Sequence, residues 1–340
     1  MLFLALAVAK APAAFALPSA ISHAIDSGPR ATAWTPEAVN AEPTADELSA
    51  AEGPAVLRAQ VLLDRVHFSS GALNGRADEN TGKAIYFFQQ ANGLTPTGKL
   101  DEATYSALED QAGKIDGVVK ITITPADLRG PYRWIPISAY DEAKLPCLCY
   151  ASALEMFDER YHTVTAVLQR LNPSVYFGAL LPGMEIWVPN VHPFELHDLN
   201  GDASHKRVTR IEISKSGEYL HAYAADGSLL FHFPTSVGSA EMPSPSGTYR
   251  VSTVQWRPVY HYSPALFGSS GPTATLPPGP NSPVGIVWIA TSKDHVGIHG
   301  TPIPHTISAA NSHGCVRLTN WDAARLAASV KPGAVIRFLK

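Results

Sequence analysis

The hydrophobic pattern changes its period along the chain, and this change constrains the fold more than any other feature. Between about residues 55 and 108, apolar residues such as Val56, Leu57 and Val61 recur at helical spacing. From Val208 onward, apolar residues alternate with others at a period of two, which is typical of strands that bury one face. The length of 340 residues also exceeds what one core usually holds. The sequence therefore predicts a multidomain protein, helical first and mostly β afterwards.

Composition and charge exclude several classes of protein. Apolar residues make up 45% and charged residues 16% of the chain, which excludes a mainly disordered protein. The net charge is only −4, without a dense lysine or arginine stripe, so nucleic acid is not an expected partner. No apolar run reaches the roughly 20 residues of a membrane span. Residues 207–340 carry a balance of +5 and the rest a balance of −9, which indicates parts with different functions.

The first 53 residues differ in composition from the rest. Residues 2–9 are an apolar run, and Ala14-Phe15-Ala16 fits the cleavage site of a secretory leader. We therefore predict a signal peptide over residues 1–20, although no basic segment precedes Leu2 and a disordered apolar tail is the alternative. Residues 21–53 are rich in Ala, Pro, Ser and Glu, which predicts a flexible linker.

Three helices are predicted over residues 54–110. They begin near Ala55, near Thr81 and after Asp101, which can act as an N-cap. The order and spacing of the core and turn residues resemble the peptidoglycan-binding domain of cell-wall enzymes. The motifs that carry the resemblance are Leu57-x-x-Gln60-x-x-Leu63, Asn74-Gly75, Thr81-x-x-Ala84-Ile85-x-x-Phe88-Gln89, Asn92-Gly93-Leu94 and Gly98-x-Leu100-Asp101-x-x-Thr104. The resemblance implies a small three-helix bundle that binds the wall polymer, and any small helical bundle is the alternative.

Residues 111–200 are predicted to form a linker that contains a short α+β segment at about residues 156–191. In this segment a helix ends at Leu171-Asn172-Pro173, and Pro182-Gly183 precedes a strand, Glu185–Pro189. This order is similar to that of a lysin motif with a degenerate start, which implies binding of N-acetylglucosamine chains. A purely structural bridge is the alternative.

Two short segments beyond Val208 carry the residues suited to covalent chemistry. They are Gly297-Ile298-His299-Gly300-Thr301 and Ser312-His313-Gly314-Cys315-Val316-Arg317-Leu318. A cysteine attacks as its thiolate, and a nearby imidazole can accept the thiol proton. Gly314 permits a tight turn that aims backbone N–H groups at a developing oxyanion. On the residues alone, a buried structural Cys315 and a hydrogen-bonded loop His299 remain the alternatives.

These segments form part of a longer resemblance over residues 207–340. His-Gly-Thr followed by Ser-His-Gly-Cys-x-Arg-Leu is similar to the signature of the L,D-transpeptidase catalytic domain. Two upstream stretches also resemble that family, namely Pro243-x-Pro245-Ser246-Gly247-Thr248-Tyr249 and Pro277-Pro278-Gly279-Pro280-Asn281-Ser282-Pro283-Val284-Gly285. Ser282 replaces the usual asparagine in a loop and not at the nucleophile. The resemblance implies a mostly-β domain with the nucleophile at the end of a cleft in the sheet.

The resemblance implies a nucleophile and a general base. Cys315 would be the nucleophile and His299 the base that activates it, with the Gly300 carbonyl orienting the imidazole. His313 is closer to Cys315 in sequence and is the alternative base. We prefer His299, because a residue two positions away on a tight turn often points elsewhere and geometry decides proton transfer.

The same resemblance implies roles for the remaining site residues. Ser312, His313 and Gly314 would shape the oxyanion site, and Arg317 would support the loop or meet a substrate carboxylate. No metal and no organic cofactor is expected. The implied partners are the stem peptides and glycan strands of peptidoglycan.

The implied function is that of an exported L,D-transpeptidase in the periplasm or cell wall. Cys315 would attack the carbonyl between diaminopimelate and D-Ala of a tetrapeptide stem, which releases D-Ala and leaves a thioester. A side-chain amine of another stem would then give a 3→3 cross-link in cell-wall biogenesis. Attack by water would give L,D-carboxypeptidase activity, and a protein amine would become attached to peptidoglycan. A non-catalytic peptidoglycan-binding protein is the alternative from another class.

Two further groups are assigned no function. The residue types of a zinc site occur at His192, Glu195, His197, Asp198, Asp202 and His205. Their spacing matches no metalloprotease motif, so we predict a polar interdomain linker there, with a zinc hydrolase as the alternative enzyme. Cys147 and Cys149 either form a small-ring disulfide or remain thiols, and neither is predicted to be catalytic.

Overall fold

The structure is a computed structural model that describes residues 34–196 and 208–340. Its first module is a helical bundle. Its helices are α1 (Pro36–Asn40), α2 (Ala45–Leu48), α3 (Pro54–Arg65), α4 (Glu79–Ala91) and α5 (Glu102–Ala112). The Asp101 side chain accepts a hydrogen bond from the Thr104 N–H and so caps α5. The core between α3, α4 and α5 includes Leu62, Leu63, Phe88 and Leu108. The predicted three-helix bundle is confirmed.

Helices α1 and α2 correct the prediction of a flexible linker over residues 21–53. In the described part of that stretch, Trp34, Val39 and Leu48 are at most 7% exposed. The prediction is wrong here because a few apolar side chains are enough to dock two short helices: Leu48 packs in the core of the first module, and Trp34 and Val39 pack in the core that includes the second module. The predicted signal peptide, residues 1–20, lies outside the described residues, as does the linker before Trp34.

The second module is a short α+β unit. Its elements in chain order are β1 (Val118–Thr122), α6 (Ala139–Glu142), α7 (Ala153–Arg160), α8 (Thr165–Leu171) and β2 (Glu185–Pro189). Strands β1 and β2 pair antiparallel, with Val119 opposite Val188, and residues of α7 and α8 share their apolar core. The strand that completes this small sheet therefore lies well before the segment predicted at residues 156–191.

The third module is a mostly-β domain. Its strands are β3 (Val208–Ser214), β4 (Tyr219–Tyr223), β5 (Leu229–Pro234), β6 (Gly247–Trp256), β7 (Tyr260–Tyr262), β8 (Ala274–Leu276), β9 (Val287–Thr291), β10 (Gly297–His299), β11 (Val316–Arg317) and β12 (Val330–Leu339). Eight of them form one sheet in the order β11-β10-β9-β6-β12-β3-β4-β5, while β7 and β8 form a separate hairpin. Helix α9 (Asn320–Ser329) buries Trp321 and Leu326 against this sheet. The mostly-β prediction is confirmed.

Within the two described ranges, no helix combines the length and the apolar character needed to cross a membrane.

A disulfide links Cys147 and Cys149 in the insertion between β1 and α7. Leu148 lies between them, and its N–H donates to the Pro278 carbonyl at 3.1 Å while its own carbonyl accepts from the Asn281 N–H at 3.0 Å. Of the two alternatives that the sequence left open for these cysteines, the structure contains the disulfide. The disulfide-bonded turn therefore contacts the proline-rich loop of the third module, residues 277–283.

A buried ionic cluster joins the three modules. Asp64 of α3 is fully buried, and its carboxylate lies 3.2 Å from Arg325 Nη2 of α9 and 3.0 Å from Nδ1 of His162, between α7 and α8. Burial alone would raise the pKa of Asp64, but Arg325 and His162 hold it below its usual value. The His162 ring stacks on Trp321 with the centroids 5.0 Å apart. One ionised carboxylate therefore contacts side chains of both other modules.

We expect Asp64→Asn to lower the free energy of unfolding by about 3–5 kcal/mol, because it removes the carboxylate charge that lies nearest to the partly buried Arg325 guanidinium. Urea unfolding followed by circular dichroism measures this change. The matched control, Asp110→Asn, breaks an exposed ion pair with Lys114 and should cost less than about 1 kcal/mol. Equal effects of the two substitutions would contradict the structural role of Asp64.

Candidate active site

Two neighbouring strands bring Cys315 and His299 to the same face of the sheet. Strands β10 and β11 pair in parallel, with Ile298 opposite Val316 and His299 opposite Arg317. Ile298 and Val316 are fully buried in the core. Because side chains alternate along a strand, His299, Arg317 and Cys315, which directly precedes β11, project to the opposite face. The fold thus brings together the two residues predicted to react.

Hydrogen bonding fixes the tautomer of His299. Its Nδ1 lies 2.7 Å from the Gly300 carbonyl oxygen, and a carbonyl only accepts, so Nδ1 carries the proton and Nε2 keeps its lone pair. The ring stacks on Trp288 with the centroids 5.5 Å apart. Burial lowers the pKa of His299 to about 4; the hydrogen bond to Gly300 opposes this shift, and the charge of Arg317 adds to it. His299 is therefore neutral at pH 7 and can accept a proton at Nε2.

We expect a nuclear magnetic resonance titration of the His299 imidazole to show a midpoint near pH 4, below the ordinary value of 6.5. The His299→Gln spectrum assigns the resonance. Because the native protein resists protonation here, the stability that His299 contributes is present above the unfolded pKa of 6.5 and is lost as the pH falls towards 4. A midpoint near 6.5 would show that the ring is not buried as described.

Cys315 is a free, partly buried thiol. Its Sγ lies 3.6 Å from the His295 carbonyl oxygen, where an S–H group donates weakly. Burial raises the pKa of the Cys315 thiol, and a hydrogen bond with the Gly297 backbone opposes the rise. The thiol is therefore protonated at pH 7, so its reaction requires a base.

The turn before Cys315 is held in place by its neighbours. The Ser312 hydroxyl donates to the Cys315 carbonyl oxygen at 2.5 Å. Gly314 has a φ of +103°, which side chains disfavour, and its carbonyl accepts from Ser244 Oγ at 3.0 Å. Within residues 34–196 and 208–340, the backbone N–H groups of Gly314 and Cys315 donate to no protein acceptor. These two donors are therefore available to a negatively charged oxygen.

Arg317 and His313 occupy different surroundings from His299. Arg317 Nη2 donates to the carbonyl oxygens of Ala310 and Asn311, the second at 2.9 Å. Of the two roles considered for Arg317, these contacts favour support of the loop. His313 is exposed, whereas His299 is 6% exposed and is held by a hydrogen bond and a stacked ring. The surroundings favour His299 over His313 as the base.

Sequence analysis missed Tyr260 and Trp288. Burial raises the pKa of Tyr260 to about 12, and charges on Cys315 and Tyr262 add to the rise, so the phenol lies within electrostatic range of the sulfur. Trp288 lies opposite His299 in the pairing of β9 with β10. Neither residue belongs to a recognisable motif. The register of β9 against β10 places Trp288, whereas Tyr260 lies on the separate β7–β8 hairpin.

The described residues of the zinc alternative make other contacts. His192 Nε2 lies 3.2 Å from Arg65 Nη1, and Glu195 forms an ion pair with Arg160 Nε at 3.0 Å. Throughout the described part of the chain, histidine, cysteine, aspartate and glutamate side chains form no group of three or more that could hold a metal ion. Outside the described residues lie His197, Asp198, Asp202 and His205.

Two parts of the chain match known families. Residues 208–337 match the model of the L,D-transpeptidase catalytic domain, and residues 52–108 match that of the peptidoglycan binding domain. The L,D-transpeptidase YkuD of Bacillus licheniformis is 29% identical over 180 residues, which are 53% of this chain and 89% of that protein.

Solved structures of similar proteins cover different shares of the chain. An L,D-transpeptidase from Mycobacterium smegmatis is 22% identical with a TM-score of 0.32, over 40% of this chain and 59% of that chain. The match thus spans about three fifths of the mycobacterial chain. An L,D-transpeptidase from Xylanimonas cellulosilytica is 16% identical with a TM-score of 0.37, over 88% of this chain and 100% of that chain.

Proposed function

Because residues 208–337 match the model of the L,D-transpeptidase catalytic domain and residues 52–108 match that of the peptidoglycan-binding domain, we propose that the protein is an enzyme that forms 3→3 peptidoglycan cross-links through a thioester at Cys315. One observation carries the proposal. The hydrogen bond from His299 Nδ1 to Gly300 leaves Nε2 as an acceptor on the face from which Cys315 projects. A protonated thiol beside a neutral imidazole is the arrangement that cysteine acyl transfer needs.

In the first step, His299 Nε2 takes the proton of the Cys315 thiol. The thiolate attacks the carbonyl carbon between the L-centre of diaminopimelate and D-Ala of a tetrapeptide stem. The backbone N–H groups of Gly314 and Cys315 donate to the oxyanion that forms. When the tetrahedral intermediate collapses, His299 returns the proton to the leaving amine, D-Ala departs, and a thioester joins the stem to Cys315.

In the second step, the side-chain amine of another stem attacks the thioester carbonyl. His299 takes a proton from this amine and returns it to the sulfur as the thiol leaves, so the resting state is restored. Attack by water gives the L,D-carboxypeptidase alternative, and attack by a protein amine attaches that protein to peptidoglycan. The charge balance of +5 over residues 207–340 suits a substrate that carries free carboxylates.

We also propose that the first and second modules hold the enzyme on glycan strands. The second module, which contains the lysin-motif-like segment, combines a two-stranded sheet of β1 and β2 with the helices α7 and α8. A cleft of about 410 Å³ is lined by all three modules, through Asn74 and Arg76 of the first, Arg170 of the second and His305 of the third. Retention on the polymer raises the effective concentration of stem peptides at Cys315.

Export to the periplasm or cell wall is part of the proposal. The apolar leader over residues 1–20 supports it. The disulfide between Cys147 and Cys149 supports it independently, because such bonds persist in oxidising compartments. Cell fractionation, with thiol labelling before and after reduction, tests both points. A cytosolic protein with both thiols reduced would contradict export.

The experiment that tests the function uses purified protein and a disaccharide-tetrapeptide, with products read by mass. We expect a dimer that has lost one D-Ala, and we expect iodoacetamide to abolish it while a chelator does not. Release of D-Ala without dimers would favour the carboxypeptidase alternative. Chelator-sensitive, iodoacetamide-resistant activity would favour the zinc hydrolase instead.

A further inference from the structure

We propose that Glu159, a residue of the second module, is a positioning residue that holds His299 in place through Asn320. The inference rests on the proposed function, because it assigns Glu159 a role in the reaction of Cys315. Glu159 lies on α7, and Asn320 is the first residue of α9. The contact between them therefore links the catalytic module to a module outside it.

The side-chain amide of Asn320 is fully buried and fully used. Nδ2 donates to the Pro280 carbonyl at 3.1 Å and to both carboxyl oxygens of Glu159, at 3.1 and 3.0 Å. Oδ1 accepts from the Ile286 N–H at 3.2 Å. The carbonyl oxygen of Pro280 can only accept a hydrogen bond and the N–H of Ile286 can only donate one, so the positions of Nδ2 and Oδ1 in the Asn320 amide are unambiguous. One N–H of Nδ2 donates to Pro280, and among the described residues the Glu159 carboxyl group is the acceptor for the other.

The opposite side of Asn320 contacts the backbone that orients His299. A methyl group on Gly300 would overlap with Asn320 Oδ1, so the two residues are in close contact. The carbonyl oxygen of Gly300 in turn accepts from His299 Nδ1. A shift of Asn320 would move this carbonyl and with it the imidazole. Glu159 therefore reaches the general base through two packed residues.

Glu159 is held from its own module as well. The Tyr150 hydroxyl donates to Oε1 at 3.0 Å, and Glu159 is 6% exposed. Tyr150, Glu155 and Asn320 are the polar and titratable groups that face it. Burial raises the pKa of Glu159 to about 8, so at pH 7 the carboxyl is mostly neutral and adds no charge to the interface.

A second contact from the same helix supports the same role for α7. Glu155 lies one turn before Glu159, and its Oε1 accepts from Asn281 Nδ2 at 2.7 Å. Asn281 belongs to the proline-rich loop that also provides the Pro280 carbonyl. Helix α7 therefore fixes both the loop and the amide of Asn320, which makes the second module a support for the active site.

The test replaces Glu159 in the full chain. Glu159→Met keeps the volume but removes the acceptor, and we expect kcat to fall about 10- to 100-fold, the cost of a misplaced catalytic group, with little change in KM. The His299 titration midpoint should rise from about 4 towards 6.5 as the ring loses its fixed position. Glu159→Gln, which is neutral and of the same shape, should restore kcat and the low midpoint.

Two further variants keep the result interpretable. Asp158 lies on the same helix, and its carboxyl group accepts a hydrogen bond from Thr165 Oγ1 of the second module. Asp158→Leu removes this carboxyl group and should leave kcat and the His299 titration midpoint unchanged. Tyr150→Phe removes only the hydroxyl that holds Glu159 and should shift both readouts in the same direction as Glu159→Met, by less. Circular dichroism gives the folded fraction by which every rate is divided.

Unchanged kcat and an unchanged midpoint in Glu159→Met would overturn the inference, as would equal losses in Glu159→Met and Asp158→Leu. If Glu159→Met does not fold, wild-type values in Tyr150→Phe together with a large loss in Glu159→Gln would overturn it. The proposed function fails by a different result, namely an active Cys315→Ala. An inactive Cys315→Ala beside a fully active Glu159→Met would reject the role of Glu159 alone.

Discussion

Cys315→Ala is expected to abolish both dimer formation and release of D-Ala, with kcat about 10⁴- to 10⁶-fold below that of the wild type, because the proposed acyl-enzyme forms on the Cys315 sulfur. The substitution is structurally mild. The thiol is partly buried, and Ala keeps the Cβ and the backbone N–H that we propose binds the oxyanion. Mass spectrometry of the products, and of the protein for the thioester adduct, measures the effect.

Binding separates this result from unfolding. Cys315→Ala should sediment with purified sacculi as the wild type does, because the first two modules are unchanged and the hydrogen bonds of the thiol, to the His295 carbonyl and with the Gly297 backbone, are weak. Cys315→Ser supplies a second control, since a hydroxyl in the same place is a far weaker nucleophile at this pH. Dimers formed by Cys315→Ala would show that Cys315 is not the nucleophile. Sedimentation without catalysis by the wild type would favour the non-catalytic alternative.

Local patterns in the sequence predicted the elements of the fold well. The helices of the first module follow from apolar spacing and from caps such as Asp101, and the strands beyond Val208 follow from the alternation of apolar residues at a period of two. Both signals involve residues a few positions apart, where backbone geometry alone decides which side chains share a face. Helix α8 was likewise predicted from short-range spacing.

Contacts between modules could not be predicted in this way. Trp34 and Val39 appear in the sequence as isolated apolar residues in a polar stretch, and only the neighbouring modules show why they are buried. The pairing of β1 with β2 joins strands that are far apart in the chain. Such contacts depend on tertiary packing, which a single sequence does not encode in any local spacing.

The same division applies to the candidate site. The segments around His299 and Cys315 were singled out because they form a recognisable pattern, and the pairing of β10 with β11 places them on one face. Trp288, Tyr260 and Glu159 carry no such pattern. The position of Trp288 depends on strand register, that of Tyr260 on the β7–β8 hairpin, and that of Glu159 on the docking of α7, so these three residues emerge only from the structure.

His299→Gln should reduce kcat about 10²- to 10⁴-fold, the range that a general base contributes, while His313→Gln should stay near the wild-type value. Gln at position 299 has almost the size of the imidazole but no lone pair of comparable basicity, so the thiol of Cys315 stays protonated. His313 is exposed, and its replacement leaves the hydrogen bond from His299 to Gly300 intact. The turnover of the two variants is compared at pH 7 with the disaccharide-tetrapeptide as substrate. The rate at which iodoacetamide alkylates Cys315 is measured as well, because it reports thiolate formation without any substrate. If His313→Gln instead lost more turnover and more alkylation than His299→Gln, His313 would be the general base. The buried, stacked His299 would then be a structural residue.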